Sequence, residues 1–184
     1  MNDPQLVYDD YSKDIYQDMH AFMPYLKEVG RGTVLEIGVR GGVSTAAFLL
    51  SEATEVFSVD IDVRCADLYK GHPKWTFIYS DSQDHVSVKS AIPDKLDVLF
   101  IDGLHSYEGL KSDLTNYHGL VVPGGLILVH DVSQHNAACV TQEQIKSGWA
   151  GQQTSRAFNE FLGKHREYRS QVLPGAFGLG VIYV

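Results

Sequence analysis

The chain has only two cysteines in 184 residues, Cys65 and Cys139. So few, and so far apart, they exclude a disulfide framework, fit a reducing compartment and read as packing residues. No apolar run approaches the roughly 18 residues of a membrane span. The opening stretch MNDPQLVYDDYSKD is acidic and polar, without the apolar segment of a secretory signal, so a soluble cytoplasmic protein is expected. Positive charge is scarce as well: 15 Lys and Arg stand against 23 Asp and Glu, a net charge of -8. Sequence-independent nucleic-acid affinity comes from clustered cations, so an extended phosphate-binding surface is not expected. Repeats and low-complexity tails are missing too. What remains is length enough for a substantial core, read as a single domain over residues 1–184.

The stretch that organises the rest is Leu96 to Tyr107, LDVLFIDGLHSY. Val98 to Ile101 is a continuous apolar run, the pattern of a parallel strand covered on both faces. It stops at Asp102. Ligands of open α/β sheets bind at the carboxyl ends of strands, which makes Asp102 and His105 suspects by position.

Other strands are expected at Thr33–Ile37, Glu55–Asp60, Trp75–Tyr79 and Leu126–Val129, the last entered through a turn at Pro123, Gly124 and Gly125. A closing hairpin is expected from Tyr168–Leu173 and Phe177–Val184. Helices are expected between them at Val43–Ser51, Val63–Tyr69, His85–Ala91, Tyr107–Tyr117 and Ser155–Lys164. The amino-terminal segment, residues 1–31, carries apolar residues at helical spacing from Asp14 to Val29, with Ser12 as cap. Residues 132–154 are polar and small-residue-rich without a period, which suggests an active-site loop. Strands interleaved with helices predict an α/β fold: a doubly wound, Rossmann-like, seven-stranded sheet, mostly parallel with an antiparallel strand from the carboxy-terminal hairpin.

Gly38, Gly41 and Gly42 lie where a strand turns into a helix, a place where backbone can approach a ligand. The pattern is E-x-G-x-x-x-G-x-S, through Glu36, Gly38, Gly42 and Ser44, and not the dinucleotide G-x-G-x-x-G. An acid before the turn suits an ammonium group and repels a pyrophosphate. The plain alternative is a turn that merely joins strand to helix. Asp60 ends the next strand about 20 residues on, where acids meet ribose hydroxyls, with Asp62 as competitor. Ser82 and Gln83 follow the third strand and suit the edge of a base. Asp102 and Asp131 end neighbouring strands about 4.8 Å apart, so their carboxylates can converge on a hard cation such as magnesium. An imidazole from His130 in that shell would shift the choice toward manganese, iron or zinc; strand alternation would instead turn it the other way. His105, with an ordinary value near 6.5, suits proton transfer at neutral pH, against the plainer role of a helix cap.

Together EIGVRGGVS, VDID, SDSQD, IDGLHSYEGL and PGGLILVHDV resemble the class I S-adenosylmethionine-dependent methyltransferases over residues 33–132. Within that class the chain looks most like the metal-dependent O-methyltransferases, the group containing catechol O-methyltransferase and the macrocin and macrolide-sugar enzymes. The resemblance implies that Glu36, Gly38, Gly42 and Ser44 hold the methionine part of S-adenosylmethionine, Asp60 the ribose, and Ser82 and Gln83 the adenine. Asp102 is implied beside the cofactor and, with Asp131, as ligand to a divalent metal, magnesium first. His105 is implied as the base. The expected reaction is methyl transfer to a hydroxyl of a small or sugar-like acceptor. Nucleic acid and membrane are not expected as partners, and a homodimer is left open. Two alternatives stand beside this reading: an NAD-dependent oxidoreductase, and a catalytically inactive cofactor-binding module.

Overall fold

Alternate residues of the run Val98–Ile101 serve two different cores: Val98 and Phe100 pack into one, Leu99 and Ile101 into the other. That is why the strand is apolar without a break. The computed structural model describes residues 2–14, 19–133, 150–175 and 177–184. Its strands are β1 (Arg31–Ile37), β2 (Glu52–Asp60), β3 (Trp75–Tyr79), β4 (Leu96–Ile101), β5 (Val121–His130), β6 (Arg169–Leu173) and β7 (Leu179–Tyr183). They form one seven-stranded sheet in the order β3-β2-β1-β4-β5-β7-β6. Only β7 runs against its neighbours, pairing antiparallel with both β5 and β6. The Rossmann-like fold expected from the sequence is therefore the fold observed.

Among the described residues, six α-helices cover the sheet: α1 (Pro4–Asp9), α2 (Met23–Val29), α3 (Val43–Leu49), α4 (His85–Ser90), α5 (Tyr107–Tyr117) and α6 (Ala150–Lys164). Val7, Met23, Leu26 and Phe48 from the first three pack on one face, against Val34, Val56 and Leu128. Val88, Leu114, Tyr117 and Phe158 from the others pack on the opposite face, against Leu35, Leu99 and Ile127. Each fully buried Leu or Phe contributes roughly 2 to 3 kcal/mol to that cover.

Several local expectations need correction. The helix expected at Val63–Tyr69 is a 3-10 turn, Val63–Asp67, and the one expected at Ser155–Lys164 begins at Ala150. The helix expected from Asp14 to Val29 is shorter: α2 begins at Met23, with Pro24 in its first turn, while the Asp14 carboxylate accepts the amides of Met19 and His20. Residues 15–18 of that expected helix lie outside the described residues. Ser12 caps no helix; its amide and hydroxyl both donate to Asp10. The short helix α1 was unforeseen, although Asp3 caps it and Pro4 opens it. Finally, β5 starts at Val121, before the expected turn. Its register against β4 jumps from Leu96↔Val121 to Val98↔Leu126, so residues 122–125 bulge within the strand.

The chain runs from β1 outward to β3, then returns to β4 beside β1 and proceeds the other way. The order reverses between β1 and β4. A crevice opens at the carboxyl ends of strands at such a switch point.

Candidate active site at the sheet switch point

The β1–β4 register sets Ile37 beside Ile101, so the next residues, Gly38 and Asp102, are neighbours across the switch. The amide of Gly38 donates to the Val59 carbonyl at 2.9 Å, and that of Asp102 to the Ile37 carbonyl at 2.8 Å. Gly38 has φ +92, and a Cβ there would lie 2.2 Å from the Asp102 carbonyl oxygen. Gly42, with φ +74, ends the turn and begins α3. The Tyr69 hydroxyl donates to its carbonyl at 2.7 Å from below.

Asp60 closes β2 and shapes this turn. Its Oδ2 accepts the amides of Val39 at 2.8 Å and Arg40 at 3.0 Å, and its Oδ1 accepts that of Asp62 at 2.8 Å. Asp62, the competing acid, caps the short 3-10 turn Val63–Asp67 and pairs with Arg64 at 2.6 Å.

The resulting crevice has a volume of about 480 Å³. Eight of the sequence-selected residues line it: Gly38, Gly41, Ser44, Asp60, Asp62, Ser82, Asp102 and His105. Gly42, Gln83 and Asp131 are not among its lining residues; the first two adjoin ones in sequence, and Asp131 pairs with His105. Glu36 is placed differently from the expectation that it faces a ligand's ammonium. It is fully buried, and its carboxylate accepts the hydroxyls of Ser44 (2.5 Å), Thr45 (2.7 Å) and Ser58 (2.6 Å). Burial pushes its carboxyl up to about 7, against the lowering effect of those hydroxyls. Only through Ser44 does it reach the crevice.

Sequence reasoning missed the contribution of Lys13, Asp14 and Met19, which line the crevice from the amino-terminal segment. Nothing in their local pattern marks them. It also passed over Ile61 and Leu104, 70% and 62% exposed, which bring apolar surface to the lining. Their signal was available: each is an apolar residue in the loop immediately after a strand-end acid.

At the ends of β4 and β5 two acids and two imidazoles meet. His105 places Nε2 3.1 Å from Asp102 Oδ1 and Nδ1 2.9 Å from Asp131 Oδ2. Nδ1 of His130 lies 3.1 Å from Asp102 Oδ1 and 3.3 Å from Asp131 Oδ1. Of the two orientations open for His130, the inward one is realised. His130 keeps the alternation of β5, on the same face as Leu126 and Leu128, whereas Asp131, with φ +60, leaves it. Phe22 packs edge-on against the His130 ring at 5.6 Å.

Burial alone would raise Asp102, but the charge of His130 and the hydrogen bonds of both imidazoles hold its carboxyl well below the usual range. Burial likewise opposes charge on His105, and the hydrogen bonds to Asp102 and Asp131 prevail, pushing it up to about 10. The ordinary histidine value expected from the sequence is thus replaced by that of an imidazolium balancing two carboxylates. Ligand atoms of Asp102, His105 and Asp131 all lie within 4.8 Å of one another. Two carboxylate oxygens and an imidazole nitrogen at that separation fit a divalent cation with mixed oxygen and nitrogen ligands.

Among the described residues, no helix is long and apolar enough to cross a membrane. Residues 134–149, most of the expected active-site loop, lie outside the described residues, as does Cys139, and 150–154, expected to end that loop, belong to α6.

Comparison with known proteins bears on the fold and the family. No curated protein matches the chain. An O-methyltransferase from Bacillus cereus in complex with S-adenosylhomocysteine (SAH) superposes with TM-score 0.67 at 14% identity, over 100% of this chain and 83% of that one. An SAH-bound methyltransferase from Podospora anserina gives 0.65 at 14% identity, covering 100% and 88%. An rRNA methylase from Streptococcus thermophilus gives 0.62 at 11%, covering 90% and 95%. These likenesses show the fold, and the oxidoreductase alternative finds no support among them. A family model described as a methyltransferase domain matches residues 35–132, from β1 to just beyond β5. Because that match spans more than half of the chain, the protein belongs to the methyltransferase domain family and is a class I S-adenosylmethionine-dependent methyltransferase.

Proposed function

We propose that this enzyme transfers the methyl group of S-adenosylmethionine to a hydroxyl oxygen of a small acceptor, with a divalent cation at Asp102 and Asp131 and with His105 as base. The observation that carries the reading is the convergence of Asp102, His105 and Asp131 on the rim of the crevice that begins at Gly38. In this reading Gly38, Gly42 and Ser44 hold the methionine end, with Glu36 acting from beneath through the Ser44 hydroxyl. Asp60 meets the ribose and Ser82 and Gln83 the adenine. Asp102 then sits where the methyl group is presented.

A cation at this site, magnesium by the carboxylate content, would acidify an acceptor hydroxyl. The task of the protein groups is distinct. Asp102 and Asp131 hold His105 charged in the arrangement described, and compensation of their charge removes that upward pull. His105, about a third exposed on the crevice side, is then free to take the hydroxyl proton at Nε2 or Nδ1. Holding hydroxyl and methyl donor in one crevice supplies the in-line approach that the displacement requires.

The net charge of -8 favours a small acceptor over RNA, the substrate class named for the Streptococcus thermophilus neighbour. The test is transfer of a labelled methyl group to a panel of sugars, polyols and catechols, with magnesium or manganese and with chelator. A labelled methyl ether whose formation stops with chelator supports the reading. SAH binding without transfer to any hydroxyl in the panel would instead support the inactive binding module.

A further inference from the structure

The loop after β3 is gripped from below by one face of α5. The Tyr117 hydroxyl donates to the Ser82 carbonyl at 2.6 Å, and one helical turn earlier Asp113 Oδ1 accepts from Nε2 of Gln83 at 3.1 Å. Asp113 is fully buried, whereas Gln83 is exposed beside the Ser82 portion of the crevice wall. An ionised carboxylate can only accept, so this contact decides which way round the Gln83 amide stands: nitrogen inward, oxygen outward. Its nitrogen also lies 3.4 Å from Ser82 Oγ. The carbonyl oxygen of Gln83 makes no hydrogen bond among the described residues.

We propose that Asp113 is a positioning residue that sets the base specificity of the methyl donor: by fixing the Gln83 oxygen outward, it selects a 6-amino purine and rejects a 6-oxo purine. The inference rests on reading the crevice as the S-adenosylmethionine site with Gln83 at its adenine end. An outward carbonyl accepts from an exocyclic amine. Against a 6-oxo base it faces a second acceptor, and the two repel. Burial raises the Asp113 carboxyl to about 6, opposed by Ser82 and Gln83 beside it, so it is an anion in mildly alkaline buffer. An asparagine at 113 has no such effect. Its amide can meet Gln83 with either end and leaves the glutamine free to turn over.

The experiment is calorimetric titration at pH 8 of SAH and S-inosylhomocysteine, which differ only at the 6 position of the purine. The parent protein is expected to prefer SAH by roughly tenfold or more, the worth of one such hydrogen bond. In Asp113→Asn the preference is expected to fall to within about threefold. A merely structural role for Asp113 weakens both ligands alike and leaves their ratio intact, and that result overturns the proposal. Gln83→Ala, at an exposed position, must also abolish the preference; a retained ratio overturns the proposal even where Asp113→Asn fails to fold. A parent protein that binds both ligands equally overturns the assignment while sparing the crevice. One that binds neither overturns the cofactor reading itself.

Discussion

Gly38 and Asp102 touch through their backbones: a Cβ at position 38 would come within 2.2 Å of the Asp102 carbonyl oxygen and 2.6 Å of its carbonyl carbon. The glycine turn and the acid of the charged cluster are therefore one structural unit. Gly38→Ala combines this overlap with an unfavourable φ of +92. Backbone cannot give way as a flexible side chain can, so a loss of roughly 3 kcal/mol or more is expected. Thermal unfolding measures that loss. A parallel metal titration is expected to show weaker binding as well, because Asp102 moves with the turn.

His105 bridges the two carboxylates, which makes its removal a test of proton transfer separate from cofactor binding. In His105→Ala, SAH affinity is expected to stay within a few-fold while kcat falls roughly a hundredfold or more. Chelation of the parent enzyme is expected to suppress kcat in the same way, and added magnesium or manganese to restore it. A His105→Ala enzyme that turns over at the parental rate removes the base from the mechanism.

Glu36 makes stability depend on pH in an unusual direction for a carboxylate. Its folded value, about 7, lies above its ordinary 4.5, so between these the folded state holds a proton that the unfolded chain has lost. Stability is then greatest on the acid side, declines as pH rises from about 4.5 to about 7, and levels off above. The full decline is on the order of 3 kcal/mol. Glu36→Gln keeps the volume and cannot ionise. Urea midpoints of the two proteins compared from acid to neutral pH are expected to diverge in favour of the glutamine as pH rises; a pH-independent difference contradicts the burial argument.

How much of this was legible beforehand follows from which signals are local. The runs at Leu96–Ile101 and Trp75–Tyr79 have the same bounds in sequence and structure: Val98–Ile101 is apolar without a break because it is buried on both faces, and the edge strand β3 is marked instead by its aromatic and β-branched residues. The glycines of the first turn were equally plain, since no other residue tolerates φ above +70 so cheaply. The inward His130 was not legible. It shows only in the contacts His130 makes with Asp102 and with Asp131, a non-glycine residue of left-handed backbone whose carbonyl accepts from the Thr154 hydroxyl. The elevated value of His105 depends in turn on that convergence. Nor could the pattern show that Glu36 faces three hydroxyls, for these come from two separate elements, α3 and β2.

Asp60 offers the sharpest separation of shaping the turn from binding the ligand. Its carboxylate already accepts three backbone amides, those of Val39, Arg40 and Asp62. Each oxygen has two lone pairs, so capacity remains for a ribose hydroxyl. Asp60→Asn keeps one acceptor but turns an NH₂ group toward an amide that needs one. A loss of about 1 to 3 kcal/mol in stability is expected from that mismatch alone. A role confined to the turn would weaken SAH and its 2′,3′-dideoxy analogue by the same factor. Direct contact with the ribose requires more: the parent protein should prefer SAH over the dideoxy analogue by roughly tenfold, and Asp60→Asn should lose most of that preference. Equal losses for both ligands, measured by calorimetry, would confine Asp60 to holding the glycine turn.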